Sequence, residues 1–237
     1  MKAIILAAGL GQRMGVLTKE IPKPLLTISN KSLLEYKIQN LRHSGFKDKD
    51  IILVVGHLGE LIISSFPTLT FINNPDYASS NNMYSLWLAR EHTADGFFLF
   101  NADTIYCKKI YQSAFDCSEE SFVLVDSTIK DSHDLGVVID KNNKVREIDF
   151  HLPIDSIFGK GLQISKFSKR DAELFIAFIK ESLDYGLFQK GVNIIQREWL
   201  LKMHLSALDV QGLPWTEIDL PEDLKKAEEI LNQNETF

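Results

Sequence analysis

Two different patterns of apolar and polar positions divide the chain. In its first part, short apolar runs of strand length occupy residues 2–7, 51–55, 69–72 and 96–100. Between these runs, apolar residues recur at the spacing of amphipathic helices over residues 32–44, 58–65 and 82–92. Strands that alternate with helices in this way predict a mostly parallel sheet with helices on both faces.

After Asp103 the apolar segments become shorter and turn residues separate them. Short strands are predicted at residues 122–126, 137–139, 145–150, 162–164 and 208–210. Helices are predicted at residues 169–183 and 193–201, with a last helix that begins at Pro221. We therefore expect one domain over residues 1–237, an α/β fold built as a three-layer α/β/α sandwich around a mixed, mostly parallel sheet.

Composition narrows the function classes. With 237 residues, of which 45% are hydrophobic, the chain can bury a sizeable core without disulfides. The net charge is −6 with both signs interspersed, so a nucleic-acid partner is not expected. Cys107, in a predicted helix, and Cys117, at its exit, are interpreted as reduced thiols. The apolar run that follows Met1 is too short for a membrane span, and we expect a cytoplasmic protein without a membrane partner.

A glycine-containing loop follows the first predicted strand. Its sequence is Leu6-Ala-Ala-Gly-Leu-Gly-Gln-Arg-Met14. Small residues and glycines let backbone N–H groups approach a phosphate chain closely. A dinucleotide fingerprint requires glycine where Met14 stands, and the Gly-Lys-Ser/Thr of a P-loop is absent. A glycine turn without a ligand remains an alternative. The candidate nucleotide-binding residues of the loop are Leu6, Ala7, Ala8, Gly9 and Gly11.

Two cations accompany this loop. Arg13 lies within it, and Lys23 follows between Pro22 and Pro24, which stiffen the backbone around its ammonium group. Phosphoryl-type transfer requires positioned positive charge around the reacting phosphorus, so Arg13 and Lys23 are the candidate catalytic cations. The alternative is that both are solvated surface charges.

The glycine loop together with the Pro22-Lys-Pro-Leu25 segment resembles the signature of nucleotidyltransferases that make activated sugars and alcohols. The resemblance implies the nucleotide-diphospho-sugar transferase fold, which is GT-A-like and Rossmann-like. It also implies that the loop wraps the triphosphate of a nucleoside triphosphate and that Arg13 and Lys23 contact its phosphates.

The same resemblance implies a magnesium site. Asp103, at the end of the apolar run 97–100, matches the family's metal-binding carboxylate, and Asp219 matches its second metal contact. Asp103 is also counted as a nucleotide-binding position. Oxygen ligands of this kind suit Mg²⁺. A turn former or helix cap is the alternative for Asp103, since Asp103-Thr104 could cap a following helix.

The segment Asn81-Asn-Met-Tyr-Ser85 resembles cytidylyltransferases that activate phosphocholine, aminoethylphosphonate and related small phosphates. By analogy, Asn82 and Ser85 are base-side candidates, with an asparagine helix cap as the alternative. The implied reaction transfers CMP from CTP to a small phosphorylated or phosphonate acceptor, releases pyrophosphate, and gives a CDP-activated product for surface polysaccharide or lipid decoration. The acceptor oxygen is already anionic, so we assign no general base among the histidines.

The acceptor is less constrained by sequence. A quaternary ammonium calls for an aromatic cage, and residues 131–136 offer no Phe, Tyr or Trp ring. Asp134 and Lys160, with His151, are weak acceptor-binding candidates for a polar or phosphate-rich molecule. A sugar-1-phosphate nucleotidylyltransferase that uses UTP, dTTP or GTP is the first rival. A non-catalytic nucleotide-binding module is the second rival, and a homodimer is left open.

Overall fold

A computed structural model describes residues 1–192 and 194–233 of the chain. Its strands are β1 Lys2–Ala7, β2 Thr27–Ile28, β3 Lys31–Ser32, β4 Ile51–Val55, β5 Thr70–Asn73, β6 Phe97–Asn101, β7 Thr104–Tyr106, β8 Phe122–Asp126, β9 Gly136–Ile139, β10 Val145–Asp149, β11 Gly159–Phe167, β12 Ser206–Asp209 and β13 Trp215–Glu217. Its helices are α1 Leu33–His43, α2 Gly59–Ser65, α3 Asn82–Leu88, α4 Lys108–Asp116, α5 Lys169–Asp184, α6 Arg197–Leu200 and α7 Pro221–Gln233.

The central sheet has nine strands in the described residues, with β10-β9-β11-β6-β1-β4-β5 as its main order. Strand β1 pairs in parallel with β4 and β6, and β4 pairs in parallel with β5. Strand β11 is antiparallel to β6, β8 and β9, and the edge strand β12 is parallel to β8. The sheet is therefore mixed and mostly parallel, as predicted.

Both faces of the sheet are covered by apolar clusters. Side chains of β1 alternate between the faces because successive residues of a strand point in opposite directions. Ile4 and Leu6 belong to a cluster with residues of α3 and α5, whereas Ile5 belongs to a second cluster with residues of α1 and α4. This arrangement confirms the predicted three-layer α/β/α sandwich.

Helix α1 shows why the local sequence specifies its element. Ser32 caps the N-terminus, and its hydroxyl accepts a hydrogen bond from the Glu35 backbone N–H. The Glu35 carboxylate in turn accepts one from the Ser32 N–H. This capping box satisfies two of the N–H groups that a helix start leaves unpaired. The predicted segment 32–44 contains the observed helix and both of its caps.

The structure corrects three sequence expectations. Asp103-Thr104 does not cap a helix, because Thr104 opens β7, and α4 begins only after Cys107, which lies before the helix rather than inside it. The predicted strand 162–164 is part of the longer β11. Gln163 has φ 61°, and the pairing with β8 shifts register between Gly161 and Ser165, so a bulge interrupts the alternation by which strands are recognised.

The predicted helix at 193–201 begins at a residue outside the described ranges, and the observed α6 is shorter. None of the helices in residues 1–192 and 194–233 combines the length and the apolar character that a membrane span requires.

A small two-stranded sheet of β7 and β13 positions the site. The strands are antiparallel, and Thr104 lies opposite Glu217 while Tyr106 lies opposite Trp215. Beyond this ladder, the Ile218 N–H donates to the Asp103 carbonyl at 2.9 Å. The end of β6 and the segment before α7 are thereby brought together, although they lie far apart in sequence.

Candidate active site

The glycine loop leaves β1 and runs into a 3-10 turn at Gln12–Thr18. Gly11 has φ 64°, a left-handed conformation that glycine adopts without steric cost. A Cβ atom at Gly11 would lie 3.1 Å from Cβ of Lys23, so a side chain here would crowd the lysine. A Cβ at Gly9 would meet no atom of the described residues within 4 Å, so this glycine borders open space among them. The nucleotide-binding role of the five loop residues named from the sequence stays a prediction.

Lys23 lies between two carboxylates. Its Nζ donates to Asp103 Oδ2 at 2.8 Å and to Asp219 Oδ1 at 3.0 Å, and only 12% of its side chain is exposed. Burial by itself lowers the pKa of this ammonium, but the two carboxylates outweigh burial and raise the pKa above its ordinary value. Lys23 is therefore a fixed cation, which rules out the solvated alternative for this residue.

Arg13 reaches the same centre from the glycine loop. Its Nη2 donates to Asp219 Oδ1 at 3.0 Å, the oxygen that also accepts from Lys23. Its side chain is 69% exposed, in contrast to the nearly enclosed lysine. Four predicted residues, Arg13, Lys23, Asp103 and Asp219, are thus brought together by the fold.

A third carboxylate, which the sequence analysis missed, completes the acidic group. Ligand oxygens of Asp103, Glu217 and Asp219 all lie within 4.8 Å of one another. Glu217 stands on β13 two residues before Asp219, and the spacing Glu-Ile-Asp was the signal that could have revealed it. We call Arg13, Lys23, Asp103, Glu217 and Asp219 together the charged cluster.

Glu217 is the electrostatically strained member of this group. Burial, followed by the neighbouring charges of Asp103 and Asp219, raises the pKa of Glu217 to about 7. Gln163 Nε2 donates to the Glu217 carboxylate at 2.6 Å and opposes this rise. The side chain of Gln163 is itself held by a hydrogen bond from Asn101. The bulge in β11 therefore supports the acidic group.

The residues fit a divalent cation. Oδ1 of Asp103 is buried and has no hydrogen-bond partner in the described part of the chain. An unpaired buried carboxylate oxygen is costly, and a cation would satisfy it. Three carboxylates are the hard oxygen ligands that Mg²⁺ binds in phosphate-transfer sites. The predicted pair Asp103 and Asp219 gains Glu217 as a third candidate ligand.

A buried lysine supports the strand next to Asp103. Lys37 of α1 is 1% exposed, and its Nζ donates to the carbonyl and to the hydroxyl of Thr104, both at 3.2 Å. Its ammonium also lies 5.0 Å from the ring centroid of Tyr106. Burial lowers the pKa of Lys37 to about 7, against the attraction of Asp103. Lys37 thus fixes Thr104, which is opposite Glu217.

The base-side candidates lie at and within α3. The Asn82 side-chain oxygen accepts from the Val192 N–H at 2.7 Å, and the N-cap of the helix is Asn81 rather than Asn82. Ser85 is 3% exposed, and its Oγ accepts from Asn74 Nδ2 at 3.0 Å. Neither side chain hydrogen-bonds to the charged cluster in the described residues. Their contact with a base stays a prediction.

The acceptor candidates Asp134 and Lys160 form an ion pair with 2.7 Å between Lys160 Nζ and Asp134 Oδ1. The same ammonium lies 5.4 Å from the ring centroid of Trp215. His151 is exposed, and its ring lies 5.8 Å from that of His133. Acceptor binding by these residues also stays a prediction.

Comparison with known proteins finds nucleotidyltransferases that are similar to this chain. The model of the MobA-like NTP transferase domain matches residues 3–133, more than half of the chain. The choline-phosphate cytidylyltransferase of Streptococcus pneumoniae is 32% identical, over 99% of this chain and 100% of that protein. The CTP:phosphoglutamine cytidylyltransferase of Campylobacter jejuni is 25% identical, over 95% of this chain and 98% of that protein.

A solved structure extends the likeness to three dimensions. The CTP:phosphocholine cytidylyltransferase of Streptococcus pneumoniae superimposes with a TM-score of 0.80 at 28% identity, covering 97% of this chain and 98% of that one. Both the predicted nucleotide-diphospho-sugar transferase fold and the resemblance to nucleotidyltransferases are confirmed. The chain belongs to the MobA-like NTP transferase family.

Proposed function

We propose that this chain transfers CMP from CTP to a small molecule that bears a phosphate or phosphonate group, with release of pyrophosphate. The two cytidylyltransferases compared above match it over nearly their whole lengths, which supports CTP as the donor and a phosphorylated acceptor. The observation that carries the proposal is the charged cluster beside the glycine loop.

The cluster has the composition that nucleotidyl transfer requires. Negative charge moves to the leaving pyrophosphate as its bond to the α-phosphorus breaks. Cations that the fold already holds in place stabilise this charge well, because the site does not have to rearrange during the reaction. Lys23 is nearly enclosed and held by two carboxylates, whereas Arg13 is exposed and can follow a flexible phosphate chain. We assign both residues to the triphosphate.

The carboxylates supply the other half of the site. We propose that Asp103, Glu217 and Asp219 hold Mg²⁺. When bound, this ion would neutralise phosphate oxygens and act as a Lewis acid toward the reacting phosphorus. Two observations support the assignment: Oδ1 of Asp103 has no hydrogen-bond partner in the described residues, and the pKa of Glu217 is raised. Both indicate that the negative charge of the three carboxylates is not fully balanced by nearby cations.

The chemical step needs no general base. An acceptor oxygen attacks the α-phosphorus of CTP, the new P–O bond forms, and the bond to pyrophosphate breaks in line with it. The attacking oxygen is already anionic near neutral pH, so the residues position the reactants and stabilise charge. The proposed acceptor contacts are Asp134 and Lys160. The proposed nucleotide contacts outside the charged cluster are Leu6, Ala7, Ala8, Gly9, Gly11, Asn82 and Ser85.

A nucleotide screen tests the proposal. Pyrophosphate release is measured with Mg²⁺ for CTP, UTP, dTTP, ATP and GTP, each against small phosphates, phosphonates and sugar 1-phosphates. Release with CTP and a small phosphate or phosphonate is expected. Preferential release with UTP, dTTP or GTP and a sugar 1-phosphate would contradict it, and CTP binding without any release would indicate a non-catalytic nucleotide-binding module.

A further inference from the structure

A small polar wall lies beside the charged cluster. It consists of Asp134, Lys160 and Trp215, which we call the acceptor wall. Trp215 and Glu217 are two residues apart on β13, so their side chains point to the same face of the strand. Lys160 is close enough to Glu217 for its charge to offset a small part of the rise in the pKa of that carboxyl. The wall therefore lies next to the charged cluster, to which the proposed function assigns the reacting phosphate groups.

Trp215 is held in place on several sides. Its indole N–H donates to Asp126 Oδ2 at 2.9 Å, and Asp126 is 2% exposed and accepts further hydrogen bonds from Thr128 and Gly212. The ring stacks on Tyr106 with 6.4 Å between centroids and an angle of 26°. A ring fixed in this way cannot turn to form a new pocket without breaking buried contacts.

The ring of Trp215 already contacts a cation of the protein, the ammonium group of Lys160. Lys160 Nζ lies 5.4 Å from the ring centroid, within the range of a cation–π contact, and is also paired with Asp134. A quaternary ammonium has no N–H to donate to Asp134, and it would have to displace Lys160 from the ring. Displacement would break the ion pair of Lys160 with Asp134, which weakens the binding of quaternary ammonium ligands.

A different kind of acceptor fits the same groups. The ion pair is only partly buried, with side-chain exposures of 18% for Lys160 and 32% for Asp134, so it contributes little to stability and can open. A ligand group with an N–H or O–H donor can replace Lys160 at Asp134. A neighbouring oxygen of the same ligand can accept from the freed ammonium, which leaves both charges satisfied.

We infer that the acceptor wall selects phosphorylated acceptors whose tail both donates a hydrogen bond to Asp134 and accepts one from Lys160, and discriminates against quaternary ammonium tails. Polyol tails and amino-acid tails share this chemistry. The inference rests on the proposed function. It separates this chain in acceptor choice from the phosphocholine enzyme that it resembles.

The test compares four acceptors with short tails: phosphocholine, phosphoethanolamine, glycerol 3-phosphate and O-phosphoserine. The ratio kcat/KM is measured from pyrophosphate release with CTP, and the affinity of each acceptor is measured by ligand-observed NMR. Wild-type protein is expected to favour glycerol 3-phosphate or O-phosphoserine over phosphocholine by roughly tenfold or more. Phosphoethanolamine is expected between them, because it differs from phosphocholine only by exchanging methyl groups for N–H donors.

Substitutions assign the effect to the wall. Lys160→Met frees the ring of Trp215 and is expected to shift the preference toward phosphocholine by roughly tenfold or more. Lys160→Gln keeps a hydrogen-bond donor without the charge. It should leave kcat/KM for a polyol acceptor nearly unchanged and lower kcat/KM for an amino-acid acceptor, so it distinguishes polyol tails from amino-acid tails. Lys180→Met, in the exposed pair with Asp184 on α5, is the matched control and should leave the ranking unchanged.

Two outcomes would overturn the inference. The first is a wild-type protein that uses phosphocholine as well as, or better than, the polar-tailed acceptors. The second is an acceptor ranking that Lys160→Met leaves unchanged. If CTP gives no pyrophosphate with any acceptor, the proposed function fails, and the wall is then judged on binding alone: phosphocholine bound as tightly as glycerol 3-phosphate would overturn it.

Discussion

The charged cluster and the acceptor wall lie side by side and are built differently. In the cluster, the carboxylate of Asp219 accepts from both Arg13 and Lys23, and Lys23 donates to two carboxylates. In the wall, one ion pair lies beside one aromatic ring. Removing one member of a centre with shared partners leaves the charges of its other members uncompensated. A single pair can instead be changed without disturbing the centre, so we assign chemistry to the cluster and selectivity to the wall.

The largest expected effect is the loss of a cluster member. Asp103→Ala and Lys23→Ala should each lower kcat/KM by roughly three orders of magnitude, about 4 kcal/mol of transition-state stabilisation. Steady-state pyrophosphate release measures this loss, and circular dichroism confirms the fold. Asp184→Ala, on the exposed face of α5, is the control. Unchanged turnover in either cluster variant would remove that residue from the centre.

Glu217→Gln should act through the metal. The carboxamide keeps the shape of the side chain but removes a negative charge, so the Mg²⁺ concentration for half-maximal activity should rise roughly tenfold or more, about 1.4 kcal/mol or more. Mn²⁺ binding measured by electron paramagnetic resonance gives a readout independent of turnover. Equal Mn²⁺ affinity in variant and wild type would place Glu217 outside the metal site.

Lys37 should make the free energy of unfolding depend on pH. Its native pKa of about 7 lies below its ordinary value of 10.5, so between these values the unfolded state binds more protons and stability rises with pH. Relative to Lys37→Met, the metal-free wild type should therefore gain up to about 2 kcal/mol in free energy of unfolding from pH 7 to 9. Urea unfolding at several pH values measures the gain, and parallel curves for the two proteins would contradict it.

The smallest expected effect is on stability, when the acceptor wall is changed. Lys160→Met removes a partly exposed ion pair, so the free energy of unfolding should change by less than about 1 kcal/mol. Thermal unfolding of this variant beside Lys180→Met measures the change. A loss of several kcal/mol would show that the wall is part of the stabilising framework, and the contrast with the cluster would no longer hold.

The sequence allowed much of the cluster to be predicted because its parts lie in short local patterns. Arg13 stands in a glycine loop, Lys23 lies between two prolines, and Asp103 follows an apolar strand. Glu217 was missed although its spacing from Asp219 pointed to it. The alternation of apolar strand-length runs with amphipathic helical patterns likewise predicted a sheet covered by helices on both faces.

Asp134 and Lys160 were predicted as weak acceptor-binding candidates, but the contact of Lys160 with Trp215 and the buried position of Lys37 could not be predicted from the sequence. Lys160 and Trp215 meet only because β11 and β13 approach each other in the folded chain, and Lys37 looks like an ordinary helical lysine until α1 packs against β7. The length of β11 was underestimated because Gln163 breaks the alternation by which a strand is recognised. Contacts of this kind depend on tertiary packing, which single-sequence patterns do not encode.

The most direct test follows the phosphorus atoms. Wild-type protein is incubated with Mg²⁺, CTP and the best small phosphate or phosphonate acceptor, and the mixture is followed by ³¹P NMR. The account predicts a product in which the α-phosphorus of CTP is joined through one oxygen to the acceptor phosphorus. Pyrophosphate should form in equal amount, and Asp103→Ala should give neither. Unchanged CTP, hydrolysis to CMP without a linked product, or full activity in Asp103→Ala would contradict it.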